Sequence, residues 1–184
     1  MDRAAPEDLG GAARPPRRPS GRAARRAGRR GDGMTETGEF TYRRVHRAPP
    51  ELLFDCMTTP EHLARFWGPE GTTTPVGNIV VDLRPGGAFE TTMVGADGST
   101  HTMRAVYAEV DRPHRLVWIE PGVGGGMRTT VTFTDLGDGR TEVVTHQTNV
   151  PAAYRSAEAR AGFATSLDRF DAYLADLQAD RELH

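Results

Sequence analysis

The sequence predicts an α+β fold in which an antiparallel sheet packs against one long C-terminal helix. Three observations carry this expectation. Between residues 78 and 147 the chain is a series of alternating runs joined by loops too short for parallel crossovers. Two short helical runs, each opened by proline, precede that block. After it, Phe163, Leu167, Phe170, Leu174 and Leu177 recur at spacings of three and four, the stripe of a helix.

The first strand is read over Glu39–His46, where Phe40, Tyr42 and Arg44 alternate with Thr41, Arg43 and Val45. Pro49-Pro50 then opens a helix with Leu52, Leu53, Cys56 and Met57 on one face. A second helix spans Thr59–Trp67, with Thr59 as the expected N-cap and Pro60 at the first helical position. Gly68-Pro69 cannot continue it, so Phe66 and Trp67 stand at a fixed corner. Six strands follow: Asn78–Leu83, Ala88–Val94, Thr100–Val110, Arg115–Glu120, Met127–Thr134 and Thr141–Gln147. Pro85-Gly86-Gly87, Asp97-Gly98, Pro113, the Gly122–Gly126 loop and Asp138-Gly139 separate them. The long helix begins near Ser156, and only the inner face of the sheet is large enough to receive its apolar stripe.

Three segments are therefore expected: an Arg-rich extension over 1–37, a folded domain over 38–178 and a tail over 179–184. Residues 1–33 hold nine arginines against Asp2, Glu7, Asp8 and Asp32, with no apolar periodicity, and read as disordered. Met34 is an alternative start. The remainder is acidic, which argues against nucleic acid as a partner of the folded part. Cys56 is the only cysteine, so no intramolecular disulfide forms and a cytoplasmic location is expected. No apolar run is long enough to span a bilayer, so no membrane partner is expected.

Several stretches carry a resemblance. They are Ala48–Phe54, Pro60–Pro69, Val81–Gly87, Arg112–Val117 and Gly162–Phe170. Together with the β-α-α-β6-α order they resemble the START-like (SRPBCC) superfamily. Within it they resemble the branch named for the C-terminal domain of the activator of heat-shock protein 90 ATPase. Phe66 and Phe163 stand where that branch commonly has tryptophan. The resemblance implies a helix-grip fold, a curved sheet wrapped around the long helix with a cavity between them. It implies no cofactor. The chain has no room for the extra N-terminal domain of the eukaryotic co-chaperone, so a heat-shock chaperone is not an expected partner. A homodimer is left open.

Within that fold, alternation assigns Phe89, Met93, Met103, Tyr107, Leu116, Trp118, Met127, Val131 and Phe133 to inward faces. Trp67, Phe89, Met103, Tyr107, Trp118, Val131, Phe133, Phe163, Leu167 and Phe170 are the expected walls of a site for a small hydrophobic molecule. Solid core is the competing reading of the same residues. For acid–base chemistry the candidates are His101, Glu109 and His146, with Tyr107 beside them. Glu109 is preferred among Glu90, Glu109, Glu120 and Glu142 because it shares parity with Tyr107 and Met103. The six histidines show no metal-binding spacing, and no metal site is expected. Gly122–Gly126 precedes a strand rather than a helix, so it reads as a hairpin and not a phosphate loop. A non-catalytic binder is the leading expectation. A cyclase- or hydrolase-like enzyme, or a protein that sequesters a toxic compound, is the alternative.

Overall fold

The computed structural model describes residues 38–182. The Arg-rich extension lies outside the described residues, as do residues 183–184.

The first strand, β1, spans Gly38–His46. Two short helices follow, α1 over Pro50–Thr58 and α2 over Pro60–Phe66. The sheet block runs β2 (Thr72–Thr73), β3 (Ile79–Val81), β4 (Ala88–Gly95), β5 (Thr100–Asp111), β6 (Arg115–Glu120), β7 (Met127–Asp135) and β8 (Thr141–Val150). Helix α3 occupies Ala157–Glu182, four residues beyond the Gln178 boundary expected from the sequence. The two-residue β2 is an addition, and β3 is shorter than expected because Val76–Asn78 forms a 3₁₀ turn.

Every strand pairing is antiparallel, in the order β1-β8-β7-β6-β5-β4-β2, with β3 also on β4. The first and last strands are neighbours in an open, curved sheet. This is the α+β helix-grip arrangement. Leu53, Phe54, Cys56 and Leu63 are fully buried where α1 and α2 meet the sheet, and Phe54 packs on Phe133 of β7 with ring centroids 5.8 Å apart.

Thr59 links α1 to α2, but not as a side-chain cap. Its N–H closes α1 on the Asp55 carbonyl at 3.0 Å and its own carbonyl receives the Leu63 N–H at 2.9 Å. Its hydroxyl makes no capping bond to either helix. At the other end of α2 the chain turns through Gly68, whose φ of +102° is left-handed. A Cβ there would also meet Thr72 Oγ1 at 2.7 Å and Met93 Sδ at 2.8 Å. The corner is then tied to α3. Arg169 Nη1 donates to the carbonyls of Gly68 (2.7 Å) and Pro69 (3.1 Å), and the Glu70 N–H donates to Thr165 Oγ1 at 3.0 Å.

Candidate ligand cavity

Alternation along six strands sends one row of side chains toward α3, and the helix does not fill the space above them. A cavity of about 390 Å³ remains, within the size range of small-molecule sites. Its floor is β1 (Phe40, Tyr42), β8 (Val143, Thr145, Gln147), β7 (Met127, Thr129, Val131) and β6 (Trp118, Glu120). Met93 and Met103 close one side, and Phe163, Leu167 and Phe170 of α3 form the roof.

Two aromatics of the corner divide their work. Phe66 is buried against α3, 4.5 Å from Phe170 and 6.0 Å from Tyr173 between ring centroids. Trp67 turns toward the sheet, where it meets Phe89 edge-on at 5.2 Å and Trp118 at 6.3 Å. Its indole N–H donates to Thr91 Oγ1 at 3.0 Å, which fixes the ring as a wall.

The lining is mostly apolar, and its charged or titratable side chains draw attention at two places. At one, His46 Nδ1 lies 3.3 Å from Asp171 Oδ1 on α3, while Arg44 reaches Asp168 (3.2 Å) and Asp171 (3.6 Å). Burial, the largest influence, lowers the His46 pKa; Asp171 opposes that and Arg44 adds to it. The imidazole is therefore neutral at pH 7, and its contact with Asp171 is not an ion pair there. At the other place stands Glu120 at the end of β6. Burial alone raises its pKa to about 7, and among the described residues it has neither an ion pair nor a hydrogen bond. Trp118 Nε1 and Thr129 Oγ1, on facing residues of β6 and β7, are likewise buried without a partner among the described residues. Beside Glu120, Met127 and Tyr154 lies a second hollow under the Gly122–Gly126 loop.

A family model described as activator of Hsp90 ATPase homolog 1-like protein matches residues 47–175. The chain belongs to this family. Among solved structures, a Chromobacterium violaceum protein is similar at 27% identity and a TM-score of 0.66, covering 73% of this chain and 96% of its own. The AHSA1 protein of Silicibacter pomeroyi is similar at 20% identity and 0.63, covering 75% and 98%. An AHSA1-like protein of Aeromonas hydrophila is similar at 22% identity and 0.62, covering 76% and 94%. No curated protein matches the sequence.

The Hsp90-activator-like fold distributes the sequence-predicted residues unevenly. Trp67, Met103, Trp118, Val131, Phe163, Leu167 and Phe170 line the cavity. Phe89, Tyr107 and Phe133 do not; they are buried behind it as solid core, with Phe89 and Tyr107 stacked at 5.3 Å. The Tyr107 hydroxyl has no hydrogen-bond partner among the described residues, and burial pushes its pKa well up. Among the acid–base candidates, His101 is exposed at the rim. His146 faces away from the cavity, bonded to Thr41 Oγ1 at 2.9 Å and 3.2 Å from Glu39.

Glu109 also faces outward, 3.2 Å from Arg115 Nε. A β-bulge between Tyr107 and Glu109 reverses the alternation, so Glu109 pairs with Val117 and Val110 takes the inward place opposite Leu116. The carboxyl that does reach the cavity is Glu120. Its signal was its parity with Trp118 and Leu116, both already assigned inward. His46, Tyr42 and Arg44 were missed as lining although they share one face of β1. Among the described residues no group of His, Cys, Asp or Glu has metal-holding geometry. None of their helices is long and apolar enough to cross a membrane.

Proposed function

We propose that this chain binds one small, mainly apolar molecule between its sheet and α3. The observation that carries the reading is the cavity itself: about 390 Å³ of unfilled space in a domain whose remaining core is closely packed. Protein interiors normally leave few voids larger than a water molecule. An apolar space of this size forfeits contacts on all its walls, and a ligand restores them. Roof residues Phe163 and Leu167 stay only half-buried, whereas Phe170 and Leu174 farther along α3 are buried.

Binding without a defined reaction is the simpler reading, because neither His146 nor Glu109 reaches the cavity. One observation favours an enzymatic alternative. A neutral His46 and a carboxyl of raised pKa line the same space, the pattern of a separated base and acid. A reducing, cytoplasmic setting suits the single buried Cys56. The acidic folded part gives no support to nucleic acid, and nothing in the cavity calls for a chaperone.

Native mass spectrometry of the protein purified from its own cells tests the proposal. A single adduct of small-molecule mass, lost on organic extraction, is expected. Protein that is uniformly unliganded, and that takes up no member of an apolar library, would overturn it.

A further inference from the structure

Glu120 is a carboxyl placed where carboxyls are costly. It stands at the end of β6, directly opposite Met127 on β7, on the wall shared by the main cavity and the smaller hollow under the glycine loop. Ionised carboxylates in such surroundings are normally paired with a cation or held by several donors. Glu120, itself only partly exposed, has no ion pair and no hydrogen bond among the described residues.

The other charged or titratable groups around the cavity do not fill the gap. Arg44 is committed to Asp168 and Asp171. His46 is held neutral by burial, and its contact is with Asp171. Arg160 lies over the Phe40 ring, 5.6 Å from its centroid, and His101 is at the exposed rim. None of these shifts Glu120, whose raised pKa has burial as its one cause. Among the described residues, one negative charge is thus left without a cation beside it. Diagonal to Glu120 across the β6–β7 pair, Thr129 buries a hydroxyl with no partner among the described residues. That oxygen is a second acceptor for a group with several N–H donors.

We infer that the cavity selects apolar molecules that carry a basic amine, with the Glu120 carboxylate receiving the ammonium. The inference rests on the apolar-ligand reading above and adds the chemical class of the ligand. The apolar body lies along Trp118, Val131 and Leu167, and the ammonium lies at the β6 end. A protonated amine brings up to three donors and the missing charge together, and charge-assisted bonds of this kind are the strong ones. The net negative charge of the folded part attracts the same class of molecule.

The test compares decylamine, 1-decanol and decanoate, which share an unbranched apolar chain, by calorimetric titration of the full-length protein. At pH 8.5 decylamine should bind roughly tenfold or more tighter than decanol, the worth of one charge-assisted hydrogen bond. The advantage should shrink as pH falls below about 7, where Glu120 takes up a proton. The amine itself stays charged throughout, as its pKa is near that of lysine, about 10.4. E120Q should abolish the amine's advantage over decanol. The pH profile of the wild-type protein tests the idea independently of whether that variant folds. Equal binding of decylamine and decanol, or tighter binding of decanoate, would overturn this inference while leaving the apolar-site reading intact. Failure of all three to bind would overturn both.

Discussion

At the scale of the residue, the sign of the Glu120 titration makes a stability prediction separate from any ligand. Its folded-state pKa, about 7, lies above the ordinary 4.5. The folded state therefore holds the proton more tightly than the unfolded state between those values, and stability falls as pH rises through that window. Replacing Glu120 by Gln removes the cost of ionisation. We expect E120Q to be more stable than wild type by about 1–3 kcal/mol at pH 8 and nearly equal to it at pH 4. Thermal unfolding at the two pH values measures this, and a variant less stable than wild type at pH 8 would contradict it. Glu109 is the control. Its pair with Arg115 is nearly half exposed, so E109Q should change stability by less than about 0.5–1 kcal/mol and leave ligand binding alone.

These two glutamates also show what sequence reading reaches. Parity put Trp118 and Leu116 inside, and by the same rule Glu120 belonged with them. A glutamate at a strand end nonetheless reads as solvent-facing, because charged side chains are seldom buried. Glu109 was misplaced for a different reason. A bulge belongs to the pairing of two strands, so β5 read by itself carries no sign of the reversal.

Elements were more legible than residues. Pro50 and Pro60 sit at the first positions of α1 and α2, and the spacing of Phe163, Leu167, Phe170 and Leu174 announced α3. The two-residue β2 was missed, and the ends of other elements moved. The contacts that hold α3 in place were not visible, because they join residues about a hundred positions apart. Arg169 donates to the carbonyls of Gly68 and Pro69, Gln178 Nε2 donates to the Arg47 carbonyl, and Arg44 reaches Asp168. Arg169 is the strongest of these ties, since its guanidinium satisfies two carbonyls at the turn that carries Trp67. Arg169→Ala should cost about 1–3 kcal/mol, lowering the unfolding midpoint by several degrees. It should also alter Trp67 fluorescence. An unchanged midpoint together with an unchanged emission spectrum would mean that the corner holds itself.

At the scale of the molecule, the antiparallel sheet and the family were readable from the sequence, but the strand order was not, and the empty space was expected only through the family resemblance. The same inward residues that line the cavity would have made a solid core had α3 lain closer to the sheet. Phe89, Tyr107 and Phe133 became core, while Met103, Trp118 and Val131 became wall. Composition and alternation are identical for the two outcomes; only the height of the helix above the sheet decides. A larger side chain in that gap should convert one outcome into the other. Val131 is fully buried and faces the cavity, so Val131→Phe adds its ring to open space. Overpacking a closed core instead costs about 1–3 kcal/mol.

The most direct test is a fluorescence titration with N-phenyl-1-naphthylamine, a neutral apolar probe, against wild type and Val131→Phe. The account predicts saturable one-to-one binding to wild type, and at least tenfold weaker binding to a variant that keeps wild-type thermal stability to within about 1 kcal/mol. No saturable binding to wild type, or equal binding to both proteins, would contradict it.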